Sequence, residues 1–220
     1  DFDSNNSIKK ILNTAKINFD DLVIFDVGAN IGQSVDRFRT FSKKAKIYSF
    51  EPNPDVYKNL ELKKINDKNL ECFNIGIGSS IGIIKFNLQP DSGASSFYKI
   101  NIDGDAFKLS NTPEAKKNHN ITTPKENIKF NTEIDVDVRT LDSIFSHNMP
   151  NRIDLIKIDT QGYEEEVLLG ADNVLRKTLI VEAEVIFSDA YEKSSSIAGI
   201  ESILSKYGFV IWDIPYIGKF

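Results

Sequence analysis

The sequence predicts an α/β protein with a doubly wound, mostly parallel sheet. Three observations support this prediction. Short apolar runs alternate with amphipathic helical patterns along the chain, which is the order of strand and helix units in such sheets. The runs are rich in apolar residues, as parallel strands buried on both faces are. Glycines or acids follow several of the runs, at the strand ends where α/β sheets bind their ligands.

The first half of the chain contains three apolar runs and three helical patterns. The runs cover residues 22–27, 46–50 and 70–75. The helical patterns cover residues 7–16, 32–41 and 54–64. Pro54 stands where the first turn of the third helix begins, a position that favours proline. These segments predict three parallel strands joined by helices.

The order of strands and helices is interrupted in the middle of the chain. Residues 82–88 and 133–138 alternate as half-buried strands do, and a polar stretch separates them. A structureless loop of that length is uncommon inside a compact domain and is often functional. We therefore expect a β-rich insertion at about 82–139 within a single domain spanning 1–220. A polar flap of this insertion should lie beside the ligand cleft.

The parallel pattern resumes after the insertion. An apolar strand is expected at 153–158, followed directly by Asp159, and a helix is expected at 163–176. The remaining segments are predicted to be a strand at 179–185, a helix at 197–207 and a strand at 209–212.

Composition limits the classes of protein that fit. The 220 residues include 40% hydrophobic and 27% charged residues, with a net charge of −5. This charge argues against nucleic-acid binding, which needs a basic face. No apolar stretch reaches the roughly 20 residues of a membrane span. Cys72 is the single cysteine, so we expect no internal disulfide, no metal site and a cytoplasmic location.

A glycine-rich turn follows the first predicted strand and indicates the ligand. Residues 26–32 are D-V-G-A-N-I-G, whereas a dinucleotide fingerprint is G-x-G-x-x-G and places a helix N-terminus against a pyrophosphate. Asp26 at the strand end would repel a phosphate and suits a cationic ligand. S-adenosylmethionine carries a sulfonium, an amino acid head and a ribose, so we expect it as the cofactor. The spacing disfavours a nicotinamide-dependent oxidoreductase.

Glu51 ends the second predicted strand. A carboxylate at that position can accept both hydroxyls of a ribose, as in dinucleotide-binding folds. In the alternative interpretation, Gly28 and Gly32 are ordinary turn residues and Glu51 is a surface acid. The cofactor interpretation is favoured because the glycines and both acids fall at strand ends.

Four blocks of sequence resemble the FkbM family of S-adenosylmethionine-dependent methyltransferases. They are D-V-G-A-N-I-G at 26–32, F-E-P-N-P at 50–54, T-L-D at 140–142 and K-I-D-T-Q-G-Y-E at 157–164. The resemblance runs from about Leu22 to Val185. It implies the Rossmann-like class I methyltransferase fold, with a seven-stranded sheet that has one reversed strand. It also implies methyl transfer to a hydroxyl oxygen of a sugar or a decorated small molecule.

The resemblance also implies which residues form the site. The implied cofactor-binding residues follow three strands and are Asp26, Gly28, Asn30, Gly32, Glu51, Pro52, Asn53, Asn74, Ile75 and Gly76. Ser95 and Ser96 match a paired-serine element expected near the transferred methyl, and Glu164 matches the fourth block. These three are expected to bind the acceptor. Gln161 stands where an acid is common, which lowers the odds of a metal site.

Three residues are expected to carry the chemistry. Asp159, at the end of a central strand, is the expected general base, and a helix-capping role for it is equally open. Lys157 lies in a strand that should be buried on both faces, so its ammonium needs a carboxylate partner. Glu182 on the neighbouring strand is the expected partner.

The charge of the insertion is relevant to the acceptor. Five lysines and two glutamates lie between Lys108 and Lys129, and this local excess would either attract an anionic acceptor or form a solvated loop. The expected function is O-methylation of a hydroxyl on a sugar, glycan or other small molecule. The alternative is a non-catalytic S-adenosylmethionine-binding module with a regulatory or assembly role.

Overall fold

A computed structural model describes residues 4–110 and 129–214 of the chain. The strands of these residues are β1 (Val23–Val27), β2 (Lys46–Phe50), β3 (Leu70–Phe73), β4 (Gly76–Ile77), β5 (Gly82–Leu88), β6 (Thr132–Arg139), β7 (Ile153–Ile158) and β8 (Thr178–Ala183). Five of them form a sheet in the order β3-β2-β1-β7-β8, and every pair in it is parallel. The predicted parallel α/β sheet is therefore confirmed.

Eight α-helices accompany these strands in the described part of the chain. They are α1 (Ser4–Thr14), α2 (Gln33–Phe41), α3 (Pro54–Asn66), α4 (Asp105–Ser110), α5 (Leu141–Ile144), α6 (Glu164–Leu169), α7 (Asp172–Leu175) and α8 (Ile197–Leu204). The single helix predicted at 163–176 is wrong in detail, because α6 stops at its C-cap Gly170. A side chain at Gly170 would meet the Gly78 carbonyl oxygen at 2.1 Å, so the chain must pass close to that backbone. No helix of the described residues is long and apolar enough to cross a membrane.

The main sheet is buried on both faces. Alternate residues of a strand point to opposite faces, and the two faces carry separate apolar clusters. Phe25 and Ile156 belong to one cluster, and Ile24 and Leu155 belong to the other. All six residues of β7 are buried and four of them are isoleucine or leucine, so this strand does not alternate between apolar and polar residues as a half-buried strand does.

The insertion contributes β5 and β6, which form a second small sheet with the preceding β4 in the order β4-β6-β5. Strands β5 and β6 pair antiparallel from Gly82 opposite Val138 to Leu88 opposite Thr132. The predicted β-rich insertion is thus confirmed. Of the lysines and the histidine expected in the flap, Lys116, Lys117, Lys125 and His119 lie outside the described residues.

The strand predicted at 209–212 is not formed. Gly208 adopts a left-handed φ of 84°, and the following segment runs toward α1, where the Lys10 ammonium lies 5.7 Å from the ring centre of Trp212. Ser7 of α1 also donates a hydrogen bond to Asp213. The segment therefore contacts a helix and does not extend the sheet beyond β8. The seven-stranded sheet implied by the resemblance is five-stranded among the described residues.

Candidate active site

A cleft with a volume of about 250 Å³ opens at the carboxyl ends of β1, β2 and β7. Residues after these strands and from the insertion line it. The predicted site residues among them are Gly28, Asn30, Glu51, Pro52, Ile75, Gly76, Ser95, Lys157 and Asp159. Parallel sheets place their ligands at this edge.

The glycine-rich turn brings β1 close to the end of β7. Gly28 has a φ of 77°, and a side chain there would lie 1.9 Å from the carbonyl oxygen of Asp159, so glycine is required for this approach. Asn30 also adopts a left-handed φ, of 48°, and lines the cleft. Gly32 begins α2 and packs against Lys63 behind the turn. Gly32 therefore shapes the turn without lining the cleft.

Asp26 does not face the cleft, which corrects its predicted contact with the cofactor. Its side chain is fully buried, and its Oδ1 lies 3.6 Å from the Lys157 ammonium. The Ser49 hydroxyl donates to its Oδ2 at 3.5 Å. Burial raises the pKa of Asp26, and the charge of Lys157 opposes that rise. Asp26 is therefore the counter-ion of a neighbouring lysine beneath the site.

Glu51 lines the cleft and is fixed by two backbone amides. Asn30 N–H donates to its Oε2 and Asn53 N–H donates to its Oε1, each at 2.8 Å. Burial raises the pKa of Glu51 to about 7, and the two amides oppose that rise. A carboxylate has about four acceptor positions, so both oxygens can also accept the hydroxyls of a ribose.

The raised pKa of Glu51 predicts a pH-dependent stability. Its pKa is about 7 in the fold against an ordinary 4.5, so between these values the folded chain binds more protons than the unfolded chain. The free energy of unfolding should therefore fall as pH rises through this window, by about 3 kcal/mol from this group. Urea unfolding at pH 5 and pH 8 measures the free energy of unfolding of the wild type and of Glu51→Gln, and the variant should lack the decrease that Glu51 causes. If the free energy of unfolding fell equally in both proteins between pH 5 and pH 8, the prediction would be contradicted.

Two residues predicted to bind the cofactor support the loop that carries Glu51. Asn53 accepts a hydrogen bond from Asp55 N–H and caps α3. The Asn74 side chain donates to the carbonyls of Glu51 and Pro52 at 2.9 and 3.2 Å. Neither asparagine lines the cleft, whereas the neighbouring Pro52 does.

Lys157 is a buried cation at the floor of the cleft. Its ammonium lies 3.1 Å from Asp159 Oδ2 and donates to the carbonyl oxygen of Gly28 at 3.2 Å. Burial alone would lower the pKa of Lys157, but the charges of Asp26 and Asp159 outweigh burial and raise it. Lys157 is therefore a charged ammonium held between two carboxylates.

The predicted pair of Lys157 and Glu182 is wrong. The two residues do stand opposite each other in the register of β7 and β8. However, Arg37 on α2 donates to both carboxylate oxygens of Glu182, at 3.1 and 2.6 Å. A bidentate guanidinium satisfies a carboxylate better than a single ammonium does. The structure gives no support for Glu182 as a catalytic residue.

Asp159 presents a carboxylate to the cleft. Its side chain is 37% exposed, and its Oδ1 accepts a hydrogen bond from the Gln161 side chain at 2.9 Å. Burial would raise the pKa of Asp159, but the Lys157 charge and hydrogen bonds from Glu184, Gln161 and Lys157 outweigh burial and lower it. Asp159 is thus ionised at neutral pH and within reach of a ligand.

The loop after β7 is braced by Glu164 and not by Asp159. Glu164 Oε1 accepts the backbone amides of Thr160 and Gly162 at 3.0 and 3.1 Å. The N-cap of α6 is Tyr163, which makes no side-chain capping bond, so the helix-capping alternative for Asp159 is not supported. Glu164 is 1% exposed and does not line the cleft, which corrects its predicted contact with the acceptor.

The two predicted serines have different surroundings. The Ser95 hydroxyl accepts from Gln89 N–H at 3.0 Å, and the residue lines the cleft. Ser96 is fully buried, and its hydroxyl donates to the Gln161 carbonyl at 2.8 Å. Ser96 therefore anchors the insertion to the loop after β7, and the predicted contact of Ser96 with the acceptor is corrected.

Sequence reasoning missed the network beside Asp159. The Gln161 side-chain amide donates to both Asp159 and Glu184, and its Oε1 accepts from the Tyr191 hydroxyl at 3.0 Å. A usable signal was present, because Glu182 and Glu184 are two acids on one strand face. Glu182 was predicted to belong to the site, whereas Glu184, which follows β8, is the acid that contacts Gln161 beside Asp159.

The fold and the cleft together define a Rossmann-like α/β protein whose ligand lies at the carboxyl edge of a parallel sheet. The Methyltransferase FkbM domain matches residues 26–211, and the chain belongs to this family. The protein is therefore a methyltransferase.

Individual relatives are similar over most of the chain. The 2-O-methyltransferase NoeI of Sinorhizobium fredii is 30% identical over 192 residues, covering 86% of this chain and 74% of NoeI. The methyltransferase sdnD of Sordaria araneosa is 30% identical over 205 residues, covering 86% of this chain and 73% of sdnD. The hexuronic acid methyltransferase AglP of Haloferax volcanii is 27% identical over 168 residues, covering 76% of this chain and 56% of AglP.

Proposed function

We propose that this protein is an S-adenosylmethionine-dependent O-methyltransferase that acts on a hydroxyl of a sugar or glycan. The observation that carries the proposal is that two carboxylates line the same cleft, on either side of the glycine turn. Backbone amides fix the Glu51 carboxylate, and the Asp159 carboxylate is ionised. Two relatives support the acceptor class, since their names state a 2-O-methyltransferase and a hexuronic acid methyltransferase.

The cofactor would lie along the loops after β1 to β3. Glu51 would accept the two ribose hydroxyls, and Pro52 and Ile75 would contact the adenine. Gly28 and Asn30 would pass along the methionine end, where bare backbone allows a close approach. S-adenosylmethionine supplies an electrophilic methyl group on its sulfonium.

Asp159 would accept the proton that the acceptor hydroxyl loses as its oxygen is methylated. A positioned base contributes about 10²–10⁴-fold to such a step, and correct orientation of the two reactants contributes up to about 7–11 kcal/mol. Lys157 would hold the Asp159 carboxylate in place from below. Ser95, on the insertion side of the cleft, would hydrogen-bond the acceptor.

We also propose that the acceptor is negatively charged. An anionic acceptor such as a uronic sugar is supported by the lysine excess of residues 108–129 and by the name of AglP. Residues 111–128 lie outside the described part of the chain. Salt should therefore weaken acceptor binding, because screening shortens the reach of lysine charges to about 3 Å at 1 M.

A methyl-transfer screen tests the proposed function. The protein would be incubated with methyl-labelled S-adenosylmethionine and with neutral sugars, uronic acids and non-sugar alcohols. Label should appear on a sugar hydroxyl, and uronic acids should have the lower KM at low salt. Binding of the cofactor without transfer to any acceptor would favour the non-catalytic module.

Glu51→Ala should weaken binding of S-adenosylhomocysteine about ten- to a hundredfold. The reason is the loss of a charge-assisted hydrogen bond, which is worth about 1.5–3 kcal/mol. Isothermal titration calorimetry measures the change. Glu71→Ala is the matched control, because Glu71 is a strand acid paired with surface lysines. Equal affinity in the two variants would remove Glu51 from the cofactor site.

A further inference from the structure

Glu184 follows β8 and places a second carboxyl beside Asp159. The Gln161 side-chain nitrogen donates to Asp159 Oδ1 at 2.9 Å and also to Glu184 Oε2. The two carboxyl groups therefore share one amide donor, and their negative charges act on each other. Two carboxyls in such contact are costly to ionise together, so the pair retains a proton that an isolated acid would lose.

Several contacts hold this pair in place. Glu184 N–H donates to the Ile158 carbonyl at 3.0 Å, which fixes the residue at the end of β7. Gln161 is held through its side-chain oxygen by the Tyr191 hydroxyl and through its carbonyl by the Ser96 hydroxyl at 2.8 Å. Gln161 also adopts a left-handed φ of 55°, which is uncommon for a residue other than glycine. The amide is thus positioned to bridge the two acids.

The charges around Glu184 favour its protonated form. Burial is the largest cause of the rise in the pKa of Glu184 to about 8, the negative charges of Asp159 and Glu164 contribute to that rise, and Lys157 acts in the opposite sense. Burial also raises the pKa of Tyr191 above its ordinary value, so this hydroxyl remains a neutral donor. Asp159 is in contrast ionised, with a lowered pKa, and alone it is a weak base.

We propose that Glu184 acts through Asp159 as the second carboxyl of the general base. This inference rests on the proposed O-methylation. The hydroxyl O–H bond breaks, the new O–CH₃ bond forms and the S–CH₃ bond breaks. The proton passes to Asp159 and is then shared with Glu184, so a doubly ionised pair becomes singly protonated before it releases the proton to water. Glu184 is a positioning residue that makes Asp159 a stronger base.

Carboxyl NMR tests the pair without any acceptor. In protein labelled with ¹³C at glutamate carboxyls, one signal that disappears in Glu184→Gln should titrate near pH 8. In Asp159→Asn the same signal should titrate at lower pH, because the neighbouring negative charge is gone. A Glu184 signal that titrates near its ordinary value, or that Asp159→Asn leaves unchanged, would overturn the proposal.

The pH dependence of turnover gives the second test, with whichever acceptor the methyl-transfer screen identifies. The wild-type kcat/KM should rise with pH through about 8, as Glu184 ionises. Glu184→Gln should lose this rise and be about tenfold or more slower at pH 9. The affinity of this variant for S-adenosylhomocysteine and its thermal stability show whether it is folded.

Two further variants serve as controls. Glu184→Asp should restore part of the rise of kcat/KM with pH, and Glu71→Gln should show the same rise as the wild type. A Glu184→Gln profile like that of the wild type would refute the role, whereas absence of transfer at every pH would refute the proposed function and leave the NMR test valid.

Discussion

Replacing Lys157 with methionine should lower the free energy of unfolding by about 3–5 kcal/mol, because it leaves a buried carboxylate without its counter-ion. Asp26 is fully buried and its ion-pair partner is Lys157. Methionine keeps much of the volume of lysine, so the loss would come from charge and not from a cavity. Urea unfolding at pH 7.5 measures the change.

Two further variants separate the ion pair from packing. Lys46→Met is the matched control, since Lys46 pairs with the partly exposed Glu71 and exposed pairs contribute about 0–1 kcal/mol. Changing Asp26 to asparagine in the Lys157→Met protein should recover part of the stability, because the unpaired charge is then removed. If Lys157→Met lowered the free energy of unfolding as little as Lys46→Met does, the stabilising role of the buried pair of Lys157 and Asp26 would be contradicted.

Asp159→Asn should lower kcat about 10²–10⁴-fold and leave the affinity for S-adenosylhomocysteine unchanged. The amide keeps the shape of the side chain but cannot accept the proton of the acceptor hydroxyl. Asp159 also lies outside the predicted ribose site at Glu51, which explains the unchanged affinity. Single-turnover methyl transfer and calorimetry measure the two quantities.

Asp137→Asn is the control for the Asp159 prediction. Asp137 lies on β6 and pairs with Arg139 at the surface, so its loss should change neither quantity. If Asp159→Asn turned over within a few-fold of the wild type, Asp159 would not be the group that takes the proton. If it lost cofactor affinity instead, its carboxylate would belong to the cofactor site.

The sequence was sufficient for features that depend on local pattern. Strands β2 and β7 begin and end where the sequence predicts them, because parallel strands buried on both faces are rich in apolar residues. The turn at Gly28 was recognisable because a left-handed φ next to a strand end demands glycine. Glu51 was predicted to face the cleft from the same reasoning about strand ends.

The errors arose where a distant element decides the contact. Strand register placed Lys157 opposite Glu182 correctly, but the register does not include Arg37, which reaches Glu182 from α2. Asp26 was predicted to contact a ligand because it ends a strand, and the buried ammonium that it neutralises was not considered. Only the folded packing of helix on sheet shows which cation each acid contacts.

The direction of the chain after Gly208 was also beyond the sequence pattern. Residues 209–212 are apolar and β-branched or aromatic for the most part, so local propensity favoured a strand. Strand formation also needs a partner edge, and contacts with α1 hold this segment elsewhere. Tertiary contacts therefore override the local preference at this point.

A calorimetric titration of the wild-type protein with S-adenosylhomocysteine, run beside an identical titration with NAD, tests the central claim most directly. The position of Glu51 in the cleft predicts binding of one S-adenosylhomocysteine per chain. No binding of NAD is expected, because the turn at residues 26–32 departs from the G-x-G-x-x-G pattern that binds a pyrophosphate. Saturable binding of NAD, or no heat from S-adenosylhomocysteine at any pH between 6 and 9, would contradict the assignment of this cleft as the methyl-donor site.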